Sequence, residues 1–178
     1  MFGLGRKVLK TSGDMAMASD RVAVLLPLGV AVTMTFFTVV VQALFLMPII
    51  HFIRFEFRVG RAGVHFRRDV GIITGATLIA LAAHVFAIAL WALVFSFCGE
   101  FSQLTRAVYH SGMNYTTLGD SDTVMSPSWR LLAPLEAANG MLMFGVSTTM
   151  LFAIVQRLTQ TRLNYSSSDG IDEGRRAS

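Results

Sequence analysis

The residues whose types and spacing could do chemistry gather between Gly99 and Arg130, where a strongly apolar chain turns polar. Glu100-Phe-Ser-Gln-Leu-Thr-Arg-Ala-Val-Tyr-His-Ser-Gly-Met113 is patterned as a short helix. Ser102 is its expected N-cap and Gly112 its expected stop, giving a rod of roughly 15 Å at about 1.5 Å per residue. Asn114-Tyr-Thr-Thr-Leu-Gly-Asp-Ser-Asp122 follows as an irregular polar stretch. A rod this short cannot cross a bilayer and must turn back. Stopping in mid-membrane, it aims the negative end of its dipole, about half an elementary charge, at whatever lies beyond, and that favours a cation. Irregular backbone at that depth persists only inside protein or along a water-filled path.

Other chemistry is poorly served. No nucleophile–base pair, Ser/His/Asp arrangement or His/Glu motif has usable spacing, so an enzyme is not expected. Cys98, the single cysteine, has no partner for a disulfide or a metal site and reads as a small buried apolar residue at the end of a helix. His84 lies within an apolar run, where an axial haem ligand would sit. A second histidine at similar depth is missing, because His51, His65 and His110 fall at or outside the ends of the runs. A neutral imidazole hydrogen-bonded between helices is the simpler reading, and no cofactor is expected.

The elements that position these residues are membrane helices. Hydrophobic residues make up 53% of the 178, too many for a soluble domain with an ordinary charged surface. The net charge of +4 comes from Arg clustered between or after apolar runs, which points to membrane topology rather than to nucleic acid. Val22–Ile50 and Val70–Cys98 are free of charged residues, each longer than the roughly 20 residues a bilayer requires. Pro27 and Pro48 lie near the ends of the first, which places its helix proper at about Leu26–Ile50. Gly99-Glu100 stops the second. A third run begins near Leu131 and ends at Gln156-Arg157. The fold class is therefore an all-α membrane protein with three transmembrane helices, a short re-entrant helix and the loop that follows it. The expected plan is an N-terminal tail over 1–21, a first transmembrane helix over 22–50, a basic interfacial linker over 51–69, a helix, short helix, loop and helix domain over 70–160 and a disordered tail over 161–178.

Arg54, Arg58, Arg61, Arg67 and Arg68 put the linker on the cytoplasmic side, as Arg157 and Arg162 do the C-terminal flank. The 99–130 segment then lies outside, and so does the N-terminus. Arg6, Lys7, Lys10 and Arg21 oppose this orientation, and a start at Met15 or Met17 would remove three of those four charges. Phe52-Ile-Arg-Phe-Glu-Phe-Arg58 alternates aromatic and basic residues, which suits 51–68 to anionic lipid at the interface. The protein is expected in the cell (inner) membrane.

Thr116-Thr117-Leu118-Gly119-Asp120-Ser121-Asp122 resembles the T-T-V-G-Y-G-D filter stretch of the potassium channel superfamily. The two Thr, the aliphatic residue, the first Gly and the closing Asp match in register, and the order helix, short helix, filter, helix extends the likeness from Val70 to Leu158. The resemblance implies a homotetramer around a fourfold axis, with Thr117, Leu118 and Gly119 supplying inner ion sites through carbonyl oxygens and with no cofactor apart from permeant K+ or Na+. Asp120 stands where the family has an aromatic residue, and Ser121 where it has a second Gly, a pattern similar to the T-V-G-D-G of poorly selective members. The implied function is a monovalent cation channel with a weak preference for potassium over sodium. A divalent-permeable or divalent-blocked channel is the alternative within the class, and a non-conducting membrane scaffold the alternative outside it.

The third run directly follows the filter and carries Asn139, Ser147, Thr148 and Thr149, as a pore-lining helix would. Glu136 at its outer end either supports the filter, pairs with Arg130, or is an interfacial carboxylate. Gly140 and Gly145 are gating-hinge candidates by resemblance, Gly145 being nearer mid-helix, and both are equally readable as close-packing sites.

Overall fold

The computed structural model describes residues 3–58, 66–119, 123 and 125–176. Helices α1 (Gly3–Arg58), α2 (Phe66–Phe97), α3 (Leu104–Tyr115) and α4 (Leu132–Arg176) make up the secondary structure, and no strand occurs among the described residues. Val24–Phe55, Arg67–Phe97 and Leu132–Asn164 are long and apolar enough to cross a membrane. Only 22%, 39% and 28% of their most apolar windows is buried in protein, so lipid or other protein must cover the remainder. The all-α membrane architecture expected from the sequence is present.

Four local expectations are corrected. α1 begins at Gly3 and passes through both Pro27 and Pro48 instead of being bounded by them. Each proline removes one backbone bond, which a helix at membrane depth tolerates because its other peptide groups have no alternative partner. α3 starts after Gln103, which makes no side-chain cap bond, so Ser102 is not the cap. Gly112 lies inside α3. α4 continues to Arg176, where composition suggests a disordered tail from Ser166.

The chain divides into two compact units, residues 1–37 with 88–141 and residues 38–87 with 142–178. In the second unit α1 buries one stripe, Thr38, Gln42, Leu46, Ile49 and Ile53, at the three- and four-residue spacing that keeps side chains on one helix face. Leu46, Ile49 and Ile53 cluster with Ile72 and Ala76 of α2 and with Ile154 and Leu158 of α4. Ala76, Ala80, Ala83 and Ala87 line the buried face of α2, and side chains this small let helices approach closely where no hydrophobic force drives them together. Polar groups tie the same helices. Gln42 Nε2 donates to Ser147 Oγ at 2.5 Å, and His84 Nε2 lies 3.0 Å from the same oxygen. The His84 ring also stacks on Phe144 at 4.4 Å, so this histidine has the interhelical role. Arg162 Nη2 donates to Asp69 Oδ2 at 2.6 Å beside a cavity of about 160 Å3 lined by Val70, Ile73, Val155 and Leu158.

Candidate functional site

The site lies in the first unit, and its scaffold begins where α2 ends. Gly99 has φ 77°, the left-handed conformation that glycine adopts without a Cβ clash. Its N–H donates to Ser96 O and that of Glu100 to Phe95 O, the paired bonds of a Schellman cap. The expected stop at Gly99-Glu100 is therefore a defined motif. Glu100 then reaches forward: its Oε2 accepts the Ser126 N–H at 2.9 Å and its Oε1 the Ser126 hydroxyl at 2.5 Å. That carboxylate fastens the return segment to the end of α2.

α3 has 12 residues, about 18 Å of helix, too short to cross a bilayer. Its Ala107, His110, Ser111, Asn114 and Tyr115 are buried, whereas Leu104, Val108 and Tyr109 are exposed. One side of the buried face meets aromatic rings. His110 packs edge-on against Phe95 with centroids 5.3 Å apart and lies 5.0 Å from Phe101, while Trp91 extends the group through Phe95. The other side meets α4 through Ser111, whose hydroxyl lies 2.8 Å from Ile88 O and 2.5 Å from Glu136 Oε1. Glu136 is fully buried, which removes the interfacial-carboxylate reading, and its bonded partner is on α3.

One turn further along both helices, Gly140 meets Tyr115. A Cβ on Gly140 would overlap the Tyr115 carbonyl oxygen and come within 3.0 Å of its carbonyl carbon. Gly145 differs, since a Cβ there would have nothing within 4 Å. Asn139 and Ser147 are buried within the protomer, while Thr148 and Thr149 are exposed.

Thr117, not Gly112, ends α3. Thr117 takes φ 64° at the first position past the cap, where glycine is usual, and its N–H donates to Asn114 O at 2.8 Å. A β-branched residue in that region is an outlier costing about 1–3 kcal/mol, a kind of strain that clusters at functional sites. Gly119 has φ 73°, and its N–H donates back to Met113 O at 3.0 Å. The Thr116 N–H and hydroxyl both donate to Gly112 O, at 3.1 and 2.7 Å. The N–H groups of Thr116, Thr117 and Gly119 are thus turned back onto the helix end. The stretch that carries them, Thr116–Gly119, is exposed. Oxygen acceptors at the negative end of a helix suit a cation and repel an anion. Asp120, Ser121 and Asp122 lie outside the described residues.

A sequence model of the ion channel family matches residues 83–157. Over those residues the chain is similar to the ion channel family. The matched stretch takes in the second half of α2, all of α3, the Thr116–Gly119 turn and α4 as far as Arg157. No curated protein and no solved structure matches the chain significantly. Its three long apolar helices are those of an integral membrane protein. Ser111, Glu100 and Ser126 make contacts that sequence reasoning missed. Their only signal was a small hydroxyl residue within a short helix and a Ser-Pro pair opening a turn.

Proposed function

We propose that the chain is one subunit of a homotetrameric pore-loop cation channel that passes monovalent cations, K+ and Na+, through residues 116–122. The observation that carries this reading is the exposed turn Thr116–Gly119 at the negative end of α3, where the N–H groups of Thr116, Thr117 and Gly119 bond back to the helix. Four such ends around an axis replace a hydration shell, and a protomer alone does not. Asp120 in four copies forms a ring of carboxylates at the outer mouth, with Ser121 in place of a second glycine loosening the outer sites. Glu136 supports the filter through Ser111. Gly145 is the better placed of the two hinge candidates, because space surrounds it and its carbonyl accepts the Thr149 hydroxyl at 2.8 Å, a side-chain bond of the kind that bends helices. The linker 51–69 and the C-terminus face the cytoplasm, the filter loop faces outside, and 51–68 meets anionic lipid of the cell membrane.

Purified protein in a planar bilayer, under opposed K+, Na+ and Ca2+ gradients, tests the reading. Currents that reverse between the K+ and Na+ equilibrium potentials support it. Reversal set by Ca2+ moves the assignment to the divalent alternative. A detergent-solubilised monomer that conducts nothing refutes both and leaves the scaffold.

A further inference from the structure

The contact between Gly140 and Tyr115 carries an inference that rests on the channel reading and goes beyond it. We propose that Gly140 is a positioning residue for the ion filter, setting where the end of α3, and hence the Thr116–Thr117 turn, stands relative to α4. Two contacts key these helices. Ser111 and Tyr115 are four residues apart on α3, Glu136 and Gly140 four residues apart on α4, and each pair stacks on one helix face. Ser111 meets Glu136 through a hydrogen bond, and Tyr115 meets Gly140 through its backbone. The difference between the contacts is decisive. A side chain can swing away from an added methyl group, but the atoms that a Cβ on Gly140 would strike are the oxygen, carbon and Cα of Tyr115. Only a shift of the end of α3 relative to α4 relieves the clash.

That movement passes directly to the filter. Tyr115 is the last residue of α3, and the next two residues hold their N–H groups on Gly112 O and Asn114 O. The turn is therefore rigidly attached to the helix end and travels with it. A site of several ligands loses its discrimination when its first shell departs by more than about 0.5 Å from the productive geometry.

The test uses the full chain in bilayers, with the reversal potential under K+ on one side and Na+ on the other as the readout. Gly140→Ala is compared with Gly75→Ala, a helical glycine of α2 whose added Cβ would meet nothing within 4 Å. Gly140→Ala is expected to change the K+/Na+ permeability ratio by about threefold or more while Gly75→Ala leaves it unchanged. A Gly140→Ala tetramer with the wild-type ratio overturns the proposal. Where the homotetramer does not assemble, a concatemer carrying one Gly140→Ala protomer in four is measured the same way. A shifted ratio there supports the proposal and a wild-type ratio overturns it. Failure of that concatemer to assemble also overturns it, because a contact that only positions the filter does not control assembly from one protomer. Absence of current from wild-type protein refutes the channel reading itself, whereas wild-type current with an unaltered variant refutes only the role of Gly140.

Discussion

Removing either member of the Ser111–Glu136 pair should cost stability, and removing both should cost less than the sum. Glu136 is fully buried and Ser111 has no exposed surface either, so water replaces neither partner. Glu136→Ala deletes a buried hydrogen-bonded carboxyl and leaves a small void, which together cost about 2–3 kcal/mol. Ser111 keeps a partner in that variant, because Ile88 O remains 2.8 Å from its hydroxyl. Ser111→Ala removes fewer atoms yet strips the buried carboxyl of the bond at 2.5 Å, a loss of about 1–3 kcal/mol. The smaller deletion is thus expected to cost nearly as much as the larger one. In the double variant the carboxyl is gone and Ser111→Ala loses only its bond to Ile88 O, so the two effects fall short of additivity by about 1–2 kcal/mol.

Heat-induced loss of the detergent-solubilised assembly is the assay. By the scaling of chains of this size, about 2–4 °C per kcal/mol, each single variant falls by several degrees, and the double variant falls less than their sum. Glu136→Gln, which keeps the volume and a group able to bond Ser111, should lie near wild type. Additive losses, or a Ser111→Ala protein as stable as wild type, would refute the idea that this bond joins α3 to α4.

Three further outcomes follow from the geometry. Gly119→Ala meets no neighbour within 4 Å but forces a side chain into φ 73°, so it should destabilise the turn by about 1 kcal/mol and reduce current, both absent if the effect of glycine there were merely spatial. Asp69→Asn breaks the pair with Arg162, whose side chain is 47% exposed against 8% for Asp69, so a loss of only about 1 kcal/mol in thermal stability is expected, shrinking further at high salt. Burial, reinforced by the nearby Glu100 carboxylate, pushes the Cys98 thiol above its usual range. A raised value means fewer thiolates at neutral pH, so maleimide labelling of Cys98 should be slower than that of free cysteine at pH 7.5 and accelerate as pH rises.

Much of this architecture was legible because a bilayer enforces simple rules on sequence. Two uncharged runs and a third broken only by Glu136 announced the three spans, and Gly99 announced the end of α2, since no other residue enters the left-handed region at so little cost. The same glycine rule misled at α3. Gly112 is available as a stop, but it sits inside the helix, 4.0 Å in Cβ terms from Ile88, while Thr117 takes the left-handed position. A local propensity of about 1 kcal/mol is outweighed when hydrogen bonds from Thr116, Thr117 and Gly119 converge on the helix end, and nothing in a linear pattern displays that convergence. Gly140 and Gly145 show the same limit from the other side. They are five residues apart in one helix and alike in the sequence, yet one abuts the backbone of Tyr115 and the other faces open space. A glycine's identity says that a side chain is missing, and only the packing around it says whether the absence serves contact or freedom. The roles of two like residues on one helix therefore separate by the 140° that five residues turn through, at about 100° per residue, a rotation the sequence contains but cannot orient without the neighbouring helix.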